Sequence, residues 1–346
     1  MQLTLTAAMV KEQAKALGAD LCGIASMDRF EGAPKQFDPR YIFPKAKSCI
    51  VLGFRIPRGY FRGIEEGTYF ASYTGLGYGN INQVVSTMTL RYLSCYIEDF
   101  GWEAAPCPNI HLGSSVRFDT QKHDPSYSVP VREGLPNPDI LVDYRVCAFA
   151  AGLGQFGYSK VFLTPEFGPF QRFMVILTDA PLDPDPIYEG KLCDRCMRCA
   201  RACSGKAISM TETESITIAG HKCEWGKLDV IKCSVAYMGG TKEYNPFLPA
   251  TTDLDKLYES YHGKDSKQGN WTGYGSAYGH NPALEGARGC MRECYAHLEE
   301  RGVLKRSYHN PFREKGQKPW IITDEWREKY AQMIGADSKG ANKNDE

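Results

Sequence analysis

Four cysteines spaced C-x2-C-x2-C-x3-C (Cys193, Cys196, Cys199 and Cys203) constrain this 346-residue chain more than any other feature. Three thiolates at that spacing, wound round a tight turn, can hold three irons of one cubane. The fourth points away and ligates a different cluster. Such a run therefore requires four further sulfur ligands. After position 203 the chain contains Cys223, Cys233, Cys290 and Cys294 and no other cysteine, which completes the eight thiolates that two [4Fe–4S] clusters take. A disulfide framework would need an oxidising compartment, and residues 1–24 show no secretory or twin-Arg signal. A structural zinc would use four thiols and leave four unexplained. The earlier cysteines (Cys22, Cys49, Cys95, Cys107 and Cys147) are scattered, mostly among apolar residues, and read as buried core thiols.

Length permits two domains, or one core with a large appendage. Lys+Arg and Asp+Glu both total 41, so no net charge points to nucleic acid or anionic lipid as a partner. No apolar stretch approaches the ~20 residues that span a bilayer, and a soluble, cytoplasmic protein is expected. Tyrosine and glycine concentrate in Tyr69–Asn80 and Trp271–His280. Such loops suit walls around a flat ligand, and mobile surface loops share the composition.

Apolar spacing predicts a helix over 5–17, stopped by Gly18, and a short buried strand at Asp20–Ala25. Ser48–Phe54 reads as a second strand. Asn82–Phe100 reads as an amphipathic helix closed by Gly101, and Trp102–Ala105 as another strand. The proline-rich 107–138 is expected as loop, Asp143–Ala151 as helix, and Val161–Thr164 and Phe173–Thr178 as strands. This alternation argues for an α/β domain up to about Leu182. The linker Pro181–Pro186 marks its boundary. Beyond it, Ser209–Met210 and Ile216–Ile218 look like a small hairpin between ligand groups. A Tyr-, Gly- and Asn-rich insertion fills 234–289, where a loop so long is functional or disordered. The tail after Ala336 is polar and expected to be disordered.

Gly152-Leu153-Gly154-Gln155-Phe156-Gly157 matches G-x-G-x-x-G, with Asp179 downstream. A dinucleotide fingerprint needs a strand before the glycines and a helix after them. Helix precedes this run and strand follows it, so the glycines are expected to turn the chain or let backbone pass something bulky.

The blocks Ala151–Gly157, Leu163–Pro169 (LTPEFGP) and Ile176–Leu182 (ILTDAPL), in that order ahead of the cysteine run, closely resemble the reductive dehalogenases. Epoxyqueuosine reductases share a looser version. The similarity spans about Leu21–Cys203 and fades in the C-terminal third. It implies an α+β (α/β-like) fold. Residues 1–182 would form a flavin-reductase-like corrinoid-binding domain. Residues 187–300 would form a ferredoxin-like two-cluster domain, and 301–346 an extension. The residues that match the family's corrinoid-cradling stretch are Gly152, Gly154, Gly157, Thr164, Gly168 and Arg172, and the cobalamin would be base-off. Ligation carried over from the family gives one cluster Cys193, Cys196, Cys199 and Cys294, and the other Cys203, Cys223, Cys233 and Cys290. The chain departs from the family in Ser204, where a Pro usually follows the fourth Cys. It departs again at Ala287, where the second motif usually has its first Cys.

The resemblance further implies an oxidoreductase. Reduced ferredoxin or flavodoxin would supply electrons, and a small organic substrate would be dehalogenated or deoxygenated. An electron-transfer or corrinoid-activating role towards a partner protein is the alternative of different class. Modification of epoxyqueuosine-tRNA is another, which neutral charge argues against. Dehalogenases use a Tyr helped by a basic residue, and epoxyqueuosine reductases an Asp ahead of the AGLG stretch. On that pattern Tyr127 and Asp139 are the candidate proton donors, with Arg172 as electrostatic partner and His111 nearby.

Overall fold

The computed structural model describes residues 4–109, 128–237, 239–246 and 287–333. Thr6 opens the first helix, Ala7–Ala16, by accepting from the Met9 amide at 3.3 Å, and Gly18 ends it with φ +100°. Four strands follow in one sheet: Leu21–Ser26, Ser48–Arg55, Ala104–Cys107 and Gln171–Thr178. Their spatial order is first, second, fourth, third, with every neighbouring pair antiparallel. The strands expected from apolar runs are therefore present, and their direction is not that of an α/β sheet. Ser48–Arg55 is apolar at nearly every position because both sheet faces are covered, and covered faces give continuous runs whatever the strand direction. Pro106 is tolerated because Ala104–Cys107 is an edge strand.

Alternation along the strands divides two cores. Ile24, Ile50, Leu52, Met174 and Ile176 pack with Val10, Leu90, Leu93 and Ile97 of the helices. Ala25, Cys49, Val51, Phe173, Val175 and Leu177 face the helix Tyr144–Ala150 and Trp225. The expected helix over 82–100 is Ser86–Glu98, and it is preceded by wide π-helical turns over Ser72–Val85. The Tyr/Gly stretch 69–80 is thus mostly helical and not a loop. Trp271–His280 lies outside the described residues, as does most of the insertion.

The connector 181–186 is docked along the sheet. The Asp185 carboxylate accepts from the Ile24 amide at 2.8 Å and pairs with Lys11. The Asp185 carbonyl accepts from Arg29 at 2.7 Å. Beyond it, Ile208–Ile218 and His221–Leu228 form a hairpin through Ala219 and Gly220, both at positive φ, as a two-residue turn demands. The two segments expected to pair with each other therefore share one strand. The helix Arg292–Glu300 returns to the first core, where Tyr295 stacks on Phe170 at 4.2 Å and Phe170 on Phe61 at 4.0 Å. No described helix is long and apolar enough to cross a membrane.

Candidate functional site

Arg195 and Met197 adopt left-handed backbone (φ 59° and 64°) and wind the cysteine run into a tight turn before the short helix Arg198–Arg201. Cys193, Cys196, Cys199 and Cys294 then line one small cavity with Tyr158, His297 and Leu298. The Tyr158 amide donates to Cys193 Sγ at 3.3 Å. Cys294 arrives on the helix Arg292–Glu300, which is fastened to the run by polar contacts. His297 meets Asp194 at 2.9 Å, Arg198 meets Glu300 at 2.6 Å, and Arg301 donates to the Leu192 carbonyl at 2.7 Å. Burial works against ionisation of Asp194, but the His297 hydrogen bond and Arg301 outweigh it and hold the carboxyl below its usual range. Burial, reinforced by neighbouring thiols, pushes Cys199 up to about 11 and raises Cys294 well above the usual thiol range. Crowded, desolvated thiols of this kind ionise readily only when cations arrive among them. Four converging sulfurs fit a single [4Fe–4S] cluster.

Cys203, Cys233 and Cys290 form a second group. Cys290 sits near enough to Cys233, Cys203 and Cys199 for their charges to act on it, and Cys233 likewise senses Cys203. The segments interlock at glycines: a side chain on Gly289 would lie 3.0 Å from the Ala202 carbonyl, and one on Gly205 would lie 2.7 Å from that of Lys232. Cys223 stands elsewhere. It points from the hairpin into the core of Phe149, Phe156 and Trp225, and burial alone raises its pKa to about 11. Cys49, Cys107 and Cys147 are buried as expected, Cys22 is half-buried, and Cys95 is exposed on the outside of its helix.

Beside the second group lies a set of tyrosines round Arg172. Arg172 donates to the Tyr73 hydroxyl at 2.9 Å and lies 4.5 Å over the Tyr78 ring, which itself meets Tyr237 at 6.0 Å. Tyr237 is four residues from Cys233 on the helix Val230–Tyr237 and so shares its face. The Tyr73 hydroxyl is 4.0 Å from the Met291 sulfur, next to Cys290. Burial pushes the Tyr73 and Tyr237 hydroxyls up, while Arg172 pulls both back. Arg172 Nε is buried without a hydrogen-bond partner among the described residues, an unusual state for a guanidinium nitrogen. Sequence reasoning named Arg172 alone of this set. Tyr73 and Tyr78 were visible only as members of a stretch, and the one signal for Tyr237 was its spacing from Cys233.

The other predicted residues do different things. Gly152, at φ +71°, is pressed against the Pro186 carbonyl, and Gly154 against that of Leu163. Gly157 faces Val161 and Leu163, and Gly168 faces Leu298. In each case the space a side chain would fill is occupied by protein. Gly152→Ala should cost about 2–4 kcal/mol through backbone strain and overpacking, read as a lowered melting temperature. Thr164 is fully buried, accepting from the Phe167 amide at 3.2 Å. The helix before the glycine run and the short strands Gln155–Phe156 and Phe162–Leu163 within and after it exclude the dinucleotide geometry. Asp139 accepts from Gln36 and Ser128, each at 3.2 Å. It adjoins the turns that pack on the face opposite Arg172, so the two are not brought together. Tyr127 and His111 lie outside the described residues. A cavity of about 830 Å³ opens on that opposite face, among Phe30, Asp143, Lys160, Ile218 and Trp225. Lys160 lies 4.8 Å over the Trp225 ring, and burial lowers its pKa.

Comparison with known proteins finds relatives of two kinds. A tetrachloroethene reductive dehalogenase of Sulfurospirillum multivorans is 41% identical over 93 residues, covering 25% of this chain and 18% of that protein. An epoxyqueuosine reductase of Gloeobacter violaceus is 26% identical over 245 residues, covering 63% of this chain and 64% of that protein. The chain thus spans less than two thirds of either curated relative. Among solved structures, a catabolic reductive dehalogenase in complex with 3-bromo-4-hydroxybenzoic acid covers 91% of the chain and 41% of its own, at 16% identity and a TM-score of 0.48. No family model matches the chain. In sequence the chain is thus similar to reductive dehalogenases and to epoxyqueuosine reductases. Both curated relatives are reductases.

Proposed function

We propose that this chain is an iron–sulfur reductase that relays electrons through its two cysteine groups to a corrinoid held beside Arg172. The observation that carries the reading is continuity. The cavity of Cys193, Cys196, Cys199 and Cys294 adjoins the group of Cys203, Cys233 and Cys290, and that group adjoins Tyr73, Tyr78, Tyr237 and Arg172. For the corrinoid, the unpartnered Arg172 Nε and the tyrosine rings fit a flat, polar-edged ligand.

The iron–sulfur groups would supply one-electron transfer, and the corrinoid the reductive cleavage of a carbon–halogen or carbon–oxygen bond. The residues provide position and protons. The three tyrosine rings wall the site and exclude water. The Tyr73 hydroxyl is the candidate proton donor, and Arg172, bonded to it, offsets the charge left on its oxygen. Reduced ferredoxin or flavodoxin is the proposed donor of electrons. The substrate classes to assay are small organohalides and, because the longer alignment is to an epoxyqueuosine reductase, a modified tRNA stem loop. Zero net charge does not by itself dismiss the latter.

Anaerobic purification with iron reconstitution, then titration with cobalamin, tests the reading. Iron with a saturable corrin absorbance change, lost in Arg172→Met, is expected. A protein that holds iron but binds no cobalamin would overturn the corrinoid site and favour electron transfer to a partner.

A further inference from the structure

We infer that the second cysteine group is a three-thiolate site, made of Cys203, Cys233 and Cys290, that holds a [3Fe–4S] cluster, with Cys223 a core thiol outside it. This rests on the proposal that the cysteine groups bind iron–sulfur clusters, and it departs from the eight-thiolate expectation.

Cysteine counting closes at eight only if Cys223 joins. All thirteen cysteines of the chain are among the described residues, so no further thiol is in reserve. The hairpin decides where Cys223 goes. Its base, Ile208 paired with Leu228, packs beside Cys203 and Cys290. Cys223 is five positions further along the strand, opposite Ile216. At ~3.3 Å per residue that is about 17 Å away, well beyond the span of one cluster. There it shares a face with Trp225, whose ring meets Phe156 at 5.0 Å. Drawing Cys223 to the other three thiols would require the hairpin to be unzipped and that core emptied.

No second thiol takes its place. Cys22 adjoins Lys11 and Asp185, the Cys147 thiol shares a hydrogen bond with that of Cys49 and adjoins Cys107, and Cys95 is exposed. Where a C-x2-C spacing would supply one, position 287 is alanine. Among the described residues, the charged groups that act on the trio are Arg145 and Asp229. Asp229 is engaged, capping the Lys232 amide at 3.0 Å and pairing with the Lys232 ammonium at 3.4 Å. Three thiolates hold three irons and leave no thiol for the fourth corner, the ligand set that suits a cluster lacking one iron, whereas the first group has all four thiols.

The test compares wild type, Cys223→Ala, Cys233→Ala and Ala287→Cys, all reconstituted and handled anaerobically. The readouts are iron and sulfide content and electron paramagnetic resonance. Wild type should hold about seven irons per chain and show, when oxidised, the near-isotropic signal of a three-iron cluster. Cys223→Ala should match it, Cys233→Ala should lose that signal, and Ala287→Cys should gain about one iron and lose the oxidised signal. About eight irons in wild type without that signal, or a cluster lost in Cys223→Ala, would overturn the assignment while leaving the iron–sulfur reading intact. A wild type that takes up no iron would overturn both.

Discussion

Replacing Glu65 with alanine is expected to destabilise the protein by about 3–5 kcal/mol. The Glu65 side chain is 1% exposed and pairs with Arg292, which is fully buried, and with Arg313 at 2.5 Å. Arg313 also reaches Glu293 at 2.6 Å. Removing Glu65 leaves two buried guanidiniums with one carboxylate between them. Burial and the neighbouring Arg313 already pull Arg292 down to about 9, so little reserve exists for losing a counter-charge. Glu65→Gln keeps the shape and one acceptor and should cost less. Arg292 lies between Cys290 and Cys294, so the damage should extend to metal: melting should fall by ~5 °C, and iron retention should fall with it. An unchanged melting curve would show that the quartet contributes nothing net.

The second large effect is catalytic. Tyr73→Phe should lower turnover roughly 100-fold or more, the usual range for a lost general acid, with iron content unchanged. Tyr73 is 1% exposed, and phenylalanine preserves its stacking while deleting only the hydroxyl that Arg172 holds. Arg172→Met should act through the same atom and also weaken cobalamin binding, so the double variant should be little worse than either single one. Full activity in Tyr73→Phe would move the proton donor elsewhere, and Asp139→Asn would then be the variant to compare.

Apolar runs and the glycines that end them made the strands and helices before Leu182 readable, because burial on two faces leaves a continuous imprint. Strand direction leaves none, since Ser48–Arg55 reads alike in either orientation. The hairpin was misplaced for the opposite reason: residues 210–217 are exposed in an unbroken row, so no alternation marks them as strand. Spacing made Cys193–Cys203 legible as a local turn. Cys294 could be added only through resemblance, and Cys223 was enrolled by arithmetic that ignored which way its strand faces. The Arg172–tyrosine set unites positions 73, 78, 172 and 237, and no one-dimensional pattern links residues so distant. Zero net charge, likewise, averages over any local patch and carries little about partners.

The fastening of Cys294 beside Cys199 also bears on how the molecule is made. These two thiols are 95 positions apart in the chain, and the helix bearing the later one emerges long after the cysteine run. On the proposed reading, metal insertion into the first group would therefore await synthesis of that helix. Once in place, the iron would tie distant stretches together, as a clip closing a long loop does. Iron starvation should accordingly yield chains in which the helix Arg292–Glu300 is cut by a protease before any change in the sheet.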